Sequence, residues 1–245
     1  RLSYSRVETV GRSSDLLHPM VRMLLTYYKF ESAVDISVQA DLPASSGLGS
    51  SSSFTVGMIN VLSSMMGVDR TKYEVAREAI FAEQVLLKEN VGVQDQLHAS
   101  FGGFNRFNFS GANLSIVPLR ISGREMRLLA DWMVLVFTGV TRRATQVVEQ
   151  QISKTRSGGN DQQLKVMVDL VEEAQRLLES GCDISTIRDL ARLLDESWQL
   201  KKSLATSVSS QTIDELYQRC INFGALGGKL CGAGSGGFLL MIVPP

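Results

Sequence analysis

The stretch P-A-S-S-G-L-G-S-S-S-S, residues 43–53, separates two different hydrophobic patterns. Before it, residues 34–40 carry an apolar or small residue at every second position, which is typical of a strand. After it, apolar residues recur at helical spacing over residues 54–66. A strand on one side and a helix on the other favour a tight strand-to-helix turn over a flexible linker.

Such a turn can bind an anion. Glycine permits a close approach to the main chain, and the first turn of the following helix carries unpaired N–H groups and a partial positive charge. Phosphate is the usual ligand, and serine hydroxyls can add polar contacts. The alternative interpretation is a loop with an ordinary N-cap. The stretch fits neither the G-x-x-x-x-G-K-[ST] loop nor the G-x-G-x-x-G fingerprint.

Composition narrows the class of protein. The chain has 245 residues, with 25 Lys plus Arg and 25 Asp plus Glu, so its formal net charge is zero. That balance gives no general attraction to nucleic acid or anionic membrane, and no apolar run reaches the length of a membrane span. Three separated cysteines and two histidines predict neither a disulfide framework nor a zinc site and favour the reducing cytoplasm.

The element pattern predicts an α+β protein. We expect a strand in the first five residues, a helix after Asp69 capped by Asp69 or Thr71, and a short segment over residues 92–100. A hairpin turning at Ser110 and Gly111 and a buried strand at residues 132–137 should follow. Residues 144–223 read as mainly helical, with a loop at 157–160, and the chain closes with a strand at 238–243.

The first stretch resembles the phosphate-binding motif of the GHMP kinases, P-x-x-x-G-L-G-S-S-[AGS]. The segment L-C-G-A-G-S-G-G-F-L-L, residues 230–240, is similar to the C-terminal glycine-rich motif of that family. The resemblance implies the family's two-lobed fold. The expected N-terminal lobe, similar to domain 2 of ribosomal protein S5, takes residues 1–137, and an α/β C-terminal lobe takes residues 138–245. The nucleotide-binding residues it implies are Pro43, Ser46, Gly47, Leu48, Gly49, Ser50, Ser51, Ser52, Gly232, Gly234 and Ser235.

A third segment, G-V-Q-D-Q-L-H-A-S-F-G-G at residues 92–103, resembles the part of the family that carries the catalytic aspartate, which would be Asp95. A carboxylate there could orient the acceptor hydroxyl or take its proton. Glu83, twelve positions earlier, is the implied Mg²⁺ ligand, with Ser51 as its partner hydroxyl. Ser52 and Ser53 are also expected to be small residues that let the helix pack closely, although the motif places Ser52 at the nucleotide. Without the resemblance, Asp95 could be a helix cap and Glu83 part of a solvated face.

Within the family the chain is most similar to the D-glycero-D-manno-heptose 7-phosphate kinases, on stretches such as L-L-H-P-M-V-R and L-V-F-T-G-V-T-R-R-A. This implies ATP, Mg²⁺ and a sugar or sugar phosphate as ligands, in a monomer or homodimer. Asp95, Gly103 and Arg142 are implied at the substrate. The basic residues Arg143, Lys201 and Lys202 are further candidates for a phosphate contact.

Two other functions are weighed against a kinase. A silent relative could use the same cleft as a ligand sensor. A dinucleotide-binding oxidoreductase would need an acidic residue about twenty positions beyond the turn, at the end of a second strand, where Asp69 stands in a helical context. The family's first motif should precede Arg1, so we expect a longer natural protein.

Overall fold

The computed structural model describes residues 1–111, 113–141 and 145–245, which form two compact units. Unit 1 comprises Arg1–Ala44 and Gly49–Gly102, and unit 2 comprises Ser45–Leu48 and Gly103–Pro245. The lobe boundary expected after residue 137 stays a prediction. The strand at Met133–Phe137 pairs with the strand at Phe238–Ile242, which places it well inside unit 2.

Unit 1 begins with a small sheet. Strand β1 pairs antiparallel with β2 and parallel with β3, so β1 is the central strand. The predicted strands in the first five residues and at 34–40 are confirmed but are only two residues long. Helix α1 follows β2, with His18 as its N-cap and Pro19 as its first residue. The bounds are β1 Leu2–Ser3, β2 Val7–Glu8, α1 Pro19–Tyr27 and β3 Ile36–Ser37.

Three further helices complete unit 1: α2 Ser50–Met65, α3 Lys72–Phe81 and α4 Gln94–Phe101. Thr71 caps α3 in a capping box with Glu74, so Thr71 is the cap and Asp69 is not. The apolar side of α2 packs on α1 and α3 in one core that includes Val21, Leu24, Ile59 and Leu62. Helix α2 also contacts α4. This core fixes the first turn of α2 against the turns that carry Glu83 and Asp95.

A π-helical turn, Ala82–Leu86, extends α3 at its C-terminal end. The Leu87 N–H donates to Ala82 O and the Glu89 N–H donates to Glu83 O, both at 2.9 Å. Helical turns of this wide type occur often at functional sites. Here the turn includes Glu83.

Unit 2 opens with the predicted hairpin, β4 Asn105–Ser110 with β5 Asn113–Pro118. Helix α5, Gly123–Asp131, starts at a capping box of Ser122 and Glu125. The mainly helical region is confirmed as four helices with a turn at residues 157–160. Arg106 on β4 donates to Gln175 Oε1 at 2.9 Å, which ties the hairpin to the second of these helices. Their bounds are α6 Thr145–Arg156, α7 Asp161–Glu179, α8 Ile184–Leu204 and α9 Gln211–Asn222.

A three-stranded antiparallel sheet forms the centre of unit 2, in the order β6-β8-β7. The strands are β6 Met133–Phe137, β7 Gly227–Leu230 and β8 Phe238–Ile242. Trp198 and Tyr217 pack on one side of this sheet with Leu239 and Met241. The strand prediction for β6 is correct, but the prediction that it is buried is wrong. It has one partner strand in the described part of the chain, and Val134, Leu135 and Phe137 are exposed.

No helix in the described ranges has the length and apolar character that crossing a membrane requires.

Candidate functional site

The glycine-serine stretch is the start of α2. Gly49 is the N-cap residue with φ +70° and ψ +20°, a left-handed conformation that glycine adopts without strain. No side chain in the described ranges caps this helix end, so the N–H groups of its first turn are left for solvent or a ligand. Ser50 is the first helical residue, and Ser51 is exposed. The helix predicted after the glycine-serine stretch is confirmed, but twelve residues, 38–49, connect it to β3, so the connection is longer than a tight turn.

Asp95 lies beside this helix end. A β-carbon built on Gly49 would lie 3.3 Å from Asp95 Cγ and 3.5 Å from Asp95 Oδ2. Asp95 is in the first turn of α4 and is exposed. The positive end of the α2 dipole favours an anionic carboxylate at this position. The structure thus brings the predicted catalytic residue to the N-terminus of the predicted phosphate-binding helix, within unit 1.

Glu83 is buried in unit 1, with 1% of its surface exposed. Its carboxylate accepts hydrogen bonds from Thr55 Oγ1 at 2.8 Å, Ser52 Oγ at 3.1 Å and Gln96 Nε2 at 2.5 Å. These donors are all neutral, and no ion pair to Glu83 occurs among the residues described. A buried carboxylate without a cationic partner is costly, so this arrangement suits a bound cation.

Ser52 has a different role from the one expected. It was predicted to be a small residue that helps the helix pack, but it is buried and its hydroxyl donates to Glu83. The reason is helical phase, since Ser52 and Thr55 are three residues apart and share one face of α2. Ser51 lies on the exposed side, and its backbone oxygen, 3.0 Å from Thr55 Oγ1, is a second acceptor within reach of the hydroxyl that donates to Glu83. Its predicted role beside Glu83 at a metal stays a prediction.

In unit 2 the residues Ser45–Leu48 pack against the C-terminal glycine-rich segment. A β-carbon on Gly47 would lie 2.9 Å from Cys231 O, and one on Gly232 would lie 2.6 Å from the Gly47 α-carbon. The two backbones touch, so neither position has room for a side chain. Burial raises the pKa of the Cys231 thiol, which leaves it a neutral neighbour of this contact.

Ser235 anchors the glycine-rich segment. It has φ +64° although it is not glycine, its Oγ donates to Ser207 O, and its N–H donates to Val208 O at 2.8 Å. The donor capacity of its hydroxyl is therefore used within the protein. Lys201 Nζ donates to Gly232 O at the same segment. These bonds hold the loop in shape, and the predicted contact of Ser235 with the nucleotide stays a prediction.

The other predicted residues are located as follows. Pro43 is exposed, Leu48 is half-buried, and Ser46 is fully buried, with no partner for its hydroxyl among the residues that the structure describes. Gly103, at the start of unit 2, is exposed with φ +72°. Lys202 pairs with Asp214 at 3.4 Å. Gly234 is half-buried, and a β-carbon there would lie 2.7 Å from Val208 O. Arg142 and Arg143 lie outside the described residues.

Thr55 and Gln96 were not identified from the sequence, although both hydrogen-bond to Glu83. A signal was present for Thr55, a hydroxyl residue three positions after Ser52 in an otherwise apolar helix. For Gln96, the signal in the sequence was its position next to Asp95. The contacts join α2, the π-helical turn and α4, and periodicity within one element does not reveal them.

The position of Asp69 contradicts the oxidoreductase interpretation. This residue lies in the connection between α2 and α3, so no strand end presents it to a ribose. In the described part of the chain, no group of three or more His, Cys, Asp or Glu side chains could hold a metal. One carboxylate with hydroxyls and waters remains compatible with Mg²⁺, which takes few protein ligands.

The chain is similar to known proteins of one family. The model of the GHMP kinases N terminal domain matches residues 15–103, and the model of the GHMP kinases C terminal domain matches residues 168–245. The chain is 34% identical over 227 residues to D-glycero-alpha-D-manno-heptose 7-phosphate kinase of Campylobacter jejuni, which covers 91% of this chain and 65% of the relative. Mevalonate kinase of Pyrococcus horikoshii is 26% identical, covering 86% of this chain and 60% of the relative. The chain thus spans less than two thirds of either relative.

Solved structures have the same fold. A putative sugar kinase from Campylobacter jejuni superposes with a TM-score of 0.66 at 28% identity, covering 98% of this chain and 67% of that one. A D-glycero-D-manno-heptose 1-phosphate kinase from Bacteroides thetaiotaomicron superposes with a TM-score of 0.63 at 27% identity, covering 99% and 68%.

Proposed function

Because the chain belongs to the GHMP kinase family, we propose that it acts in an ATP-dependent kinase that phosphorylates a sugar hydroxyl, O1 of D-glycero-D-manno-heptose 7-phosphate. The observation that carries this proposal is the contact of the Asp95 carboxylate with Gly49 at the N-terminus of α2. A site for phosphate and a candidate base for an alcohol are then neighbours.

Different residues of unit 1 would bind the nucleotide and activate the acceptor hydroxyl. The uncapped N–H groups at the start of α2 would bind phosphate oxygens of the nucleotide. Asp95 would hold the acceptor hydroxyl and take its proton as the sugar oxygen attacks the γ-phosphorus. A new O–P bond forms, the bond from the γ-phosphorus to the bridging oxygen breaks, and ADP leaves. Asp95 therefore needs to be ionised, which the helix end favours.

Glu83 is the carboxylate that suits a divalent cation. It is buried, and in the described part of the chain its hydrogen bonds come only from neutral donors, so its charge is available to a metal. Ser51, exposed in the same first turn, is the candidate for a second oxygen. When bound, Mg²⁺ would neutralise phosphate charge that develops during transfer.

The substrate rests on the comparison with the Campylobacter jejuni enzyme, which is named for heptose 7-phosphate. Fucose, galactose and mevalonate are the alternatives, since relatives named for them share the fold. A catalytically silent ligand sensor is the other candidate. Asp95 and Glu83 are both present at the expected positions, which favours an enzyme over a sensor.

ATP turnover tests the proposal. A purified protein carrying this chain is assayed with heptose 7-phosphate, fucose, galactose and mevalonate, as wild type, Asp95→Asn and the control Asp69→Asn. We expect turnover with heptose 7-phosphate, a roughly hundred- to ten-thousand-fold lower kcat for Asp95→Asn, and no change for the control. Turnover only with an unphosphorylated acceptor would reject the substrate. Nucleotide binding without turnover on any acceptor would favour the sensor.

A further inference from the structure

Gln96 is a buried polar residue for which the proposed chemistry has no role so far. It follows Asp95 in the first turn of α4, and none of its surface is exposed. Its Nε2 donates to Glu83 Oε2 at 2.5 Å, while its Oε1 accepts no hydrogen bond from any residue that the structure describes. Burying an amide with one group unsatisfied costs free energy, so packing alone does not account for glutamine at this position.

The hydrogen bonds to Glu83 are distributed unevenly between its two oxygens. Among the described residues, Oε2 accepts from both Ser52 and Gln96, whereas Oε1 accepts only from Thr55. Each carboxylate oxygen offers about two acceptor positions. Oε2 is therefore saturated, and the remaining acceptor position lies on Oε1. The carboxylate can then bind a cation through one oxygen.

The same residues connect α2 and α4 at two points. Asp95 on α4 contacts Gly49 at the start of α2, and Gln96 on α4 reaches Ser52 of α2 through Glu83. Since Asp95 and Gln96 are consecutive, the hydrogen bond of Gln96 to Glu83 also fixes the turn that carries Asp95. The orientation of the carboxylate and the position of the candidate base are thereby coupled.

We infer that Gln96 is a positioning residue, which holds Glu83 Oε2 so that Oε1 is presented to a divalent metal at the nucleotide. This inference rests on the proposed function, because it takes Glu83 to be the metal ligand. Partners that orient a ligating carboxylate commonly account for a ten- to hundred-fold change in metal affinity.

The test measures binding rather than turnover. The Kd of a non-hydrolysable ATP analogue is determined by calorimetry with Mn²⁺ and again in EDTA, and the ratio of the two values reports the contribution of the metal. Gln96→Met keeps the side-chain volume and removes the donor. We expect it to reduce the metal contribution about ten-fold or more. The Kd in EDTA should change less than two-fold, because the N–H groups in the first turn of α2 can still bind the phosphates. Gln96→Leu is the second variant if the first is unstable.

Two comparisons decide the outcome. Gln94→Leu, at an exposed position two residues earlier on α4, should behave as wild type. Glu83→Gln should lose the metal contribution. If Glu83→Gln loses it and the Gln96 variants do not, Gln96 has no positioning role and the proposed function is untouched. If Glu83→Gln keeps it, both the metal assignment and this inference are wrong.

Discussion

The carboxylate of Asp95 lies against Gly49, so close that a β-carbon at position 49 would be 3.3 Å from Asp95 Cγ. Gly49 is also the N-cap of α2 and has a left-handed backbone conformation. One residue thus sets both the start of the helix and the space for the carboxylate. Predictions for the two helices follow from this contact.

Gly49→Ala should disturb the site in two ways, through backbone strain and through a clash with Asp95. An L-residue at φ +70° is strained by about 1–2 kcal/mol, and its methyl group would press on Asp95. We expect both weaker nucleotide binding and a lower kcat, measured by calorimetry and turnover. Gly57→Ala is the control, because Gly57 is an exposed residue of α2 with nothing within 4 Å of its added β-carbon. That change should stabilise the protein by about 0.5–1 kcal/mol. Equal effects of the two substitutions would contradict the role of Gly49.

Ser52→Ala and Ser51→Ala should separate the two hydroxyls. Ser52→Ala removes a buried donor from Glu83, and we expect it to lower the free energy of unfolding by about 1 kcal/mol. Ser51→Ala alters an exposed residue and should leave stability unchanged while raising the Mg²⁺ concentration needed for half-maximal turnover. Urea denaturation and a Mg²⁺ titration of activity measure these effects. A Ser51→Ala protein with the wild-type Mg²⁺ requirement would remove Ser51 from the metal site.

The positive φ at position 235 favours glycine over serine. Ser235→Ala loses the hydrogen bond to Ser207 O and keeps the positive φ, whereas Ser235→Gly loses the bond but relieves the backbone. We therefore expect the Ala variant to be less stable than the Gly variant by about 1–2 kcal/mol in urea denaturation. An Ala variant at least as stable as the Gly variant would show that φ at this position is not strained.

Glu125 should contribute to stability in mild acid. Its hydrogen bonds with the Ser122 hydroxyl and with the N–H groups of Cys182 and Ser122 lower its pKa from 4.5 to about 2. A lowered pKa in the folded state stabilises the fold above pH 4.5, and this contribution is lost as the pH falls from 4.5 toward 2. The unfolding free energy of Glu125→Gln should therefore decline less than that of wild type between pH 7 and pH 3. Glu31→Gln, at an exposed position, should follow the wild-type curve.

The sequence was informative where one segment determines its own conformation. The start of α2 and the hairpin of β4 and β5 depend on neighbouring residues and were predicted, and Thr71 was one of the two caps predicted for α3. The exposure of β6 was missed because an apolar run shows that a strand is favoured but not what covers it. The hydrogen bonds among Ser52, Glu83 and Gln96 were missed because they join three elements through tertiary packing. The π-helical turn was missed because its residues form an unremarkable helical pattern.

The π-helical turn at Ala82–Leu86 affects how relatives should be aligned. Such a turn holds one residue more than the α-helical turn it replaces. The twelve-residue separation of Glu83 and Asp95 therefore includes an inserted position. In a homologue whose helix is regular here, the same placement of the two carboxylates needs a separation of eleven. With a fixed spacing from Asp95, a sequence profile would place Gln84 opposite the glutamate of such a homologue, whereas allowing a single gap between residues 83 and 87 recovers the match.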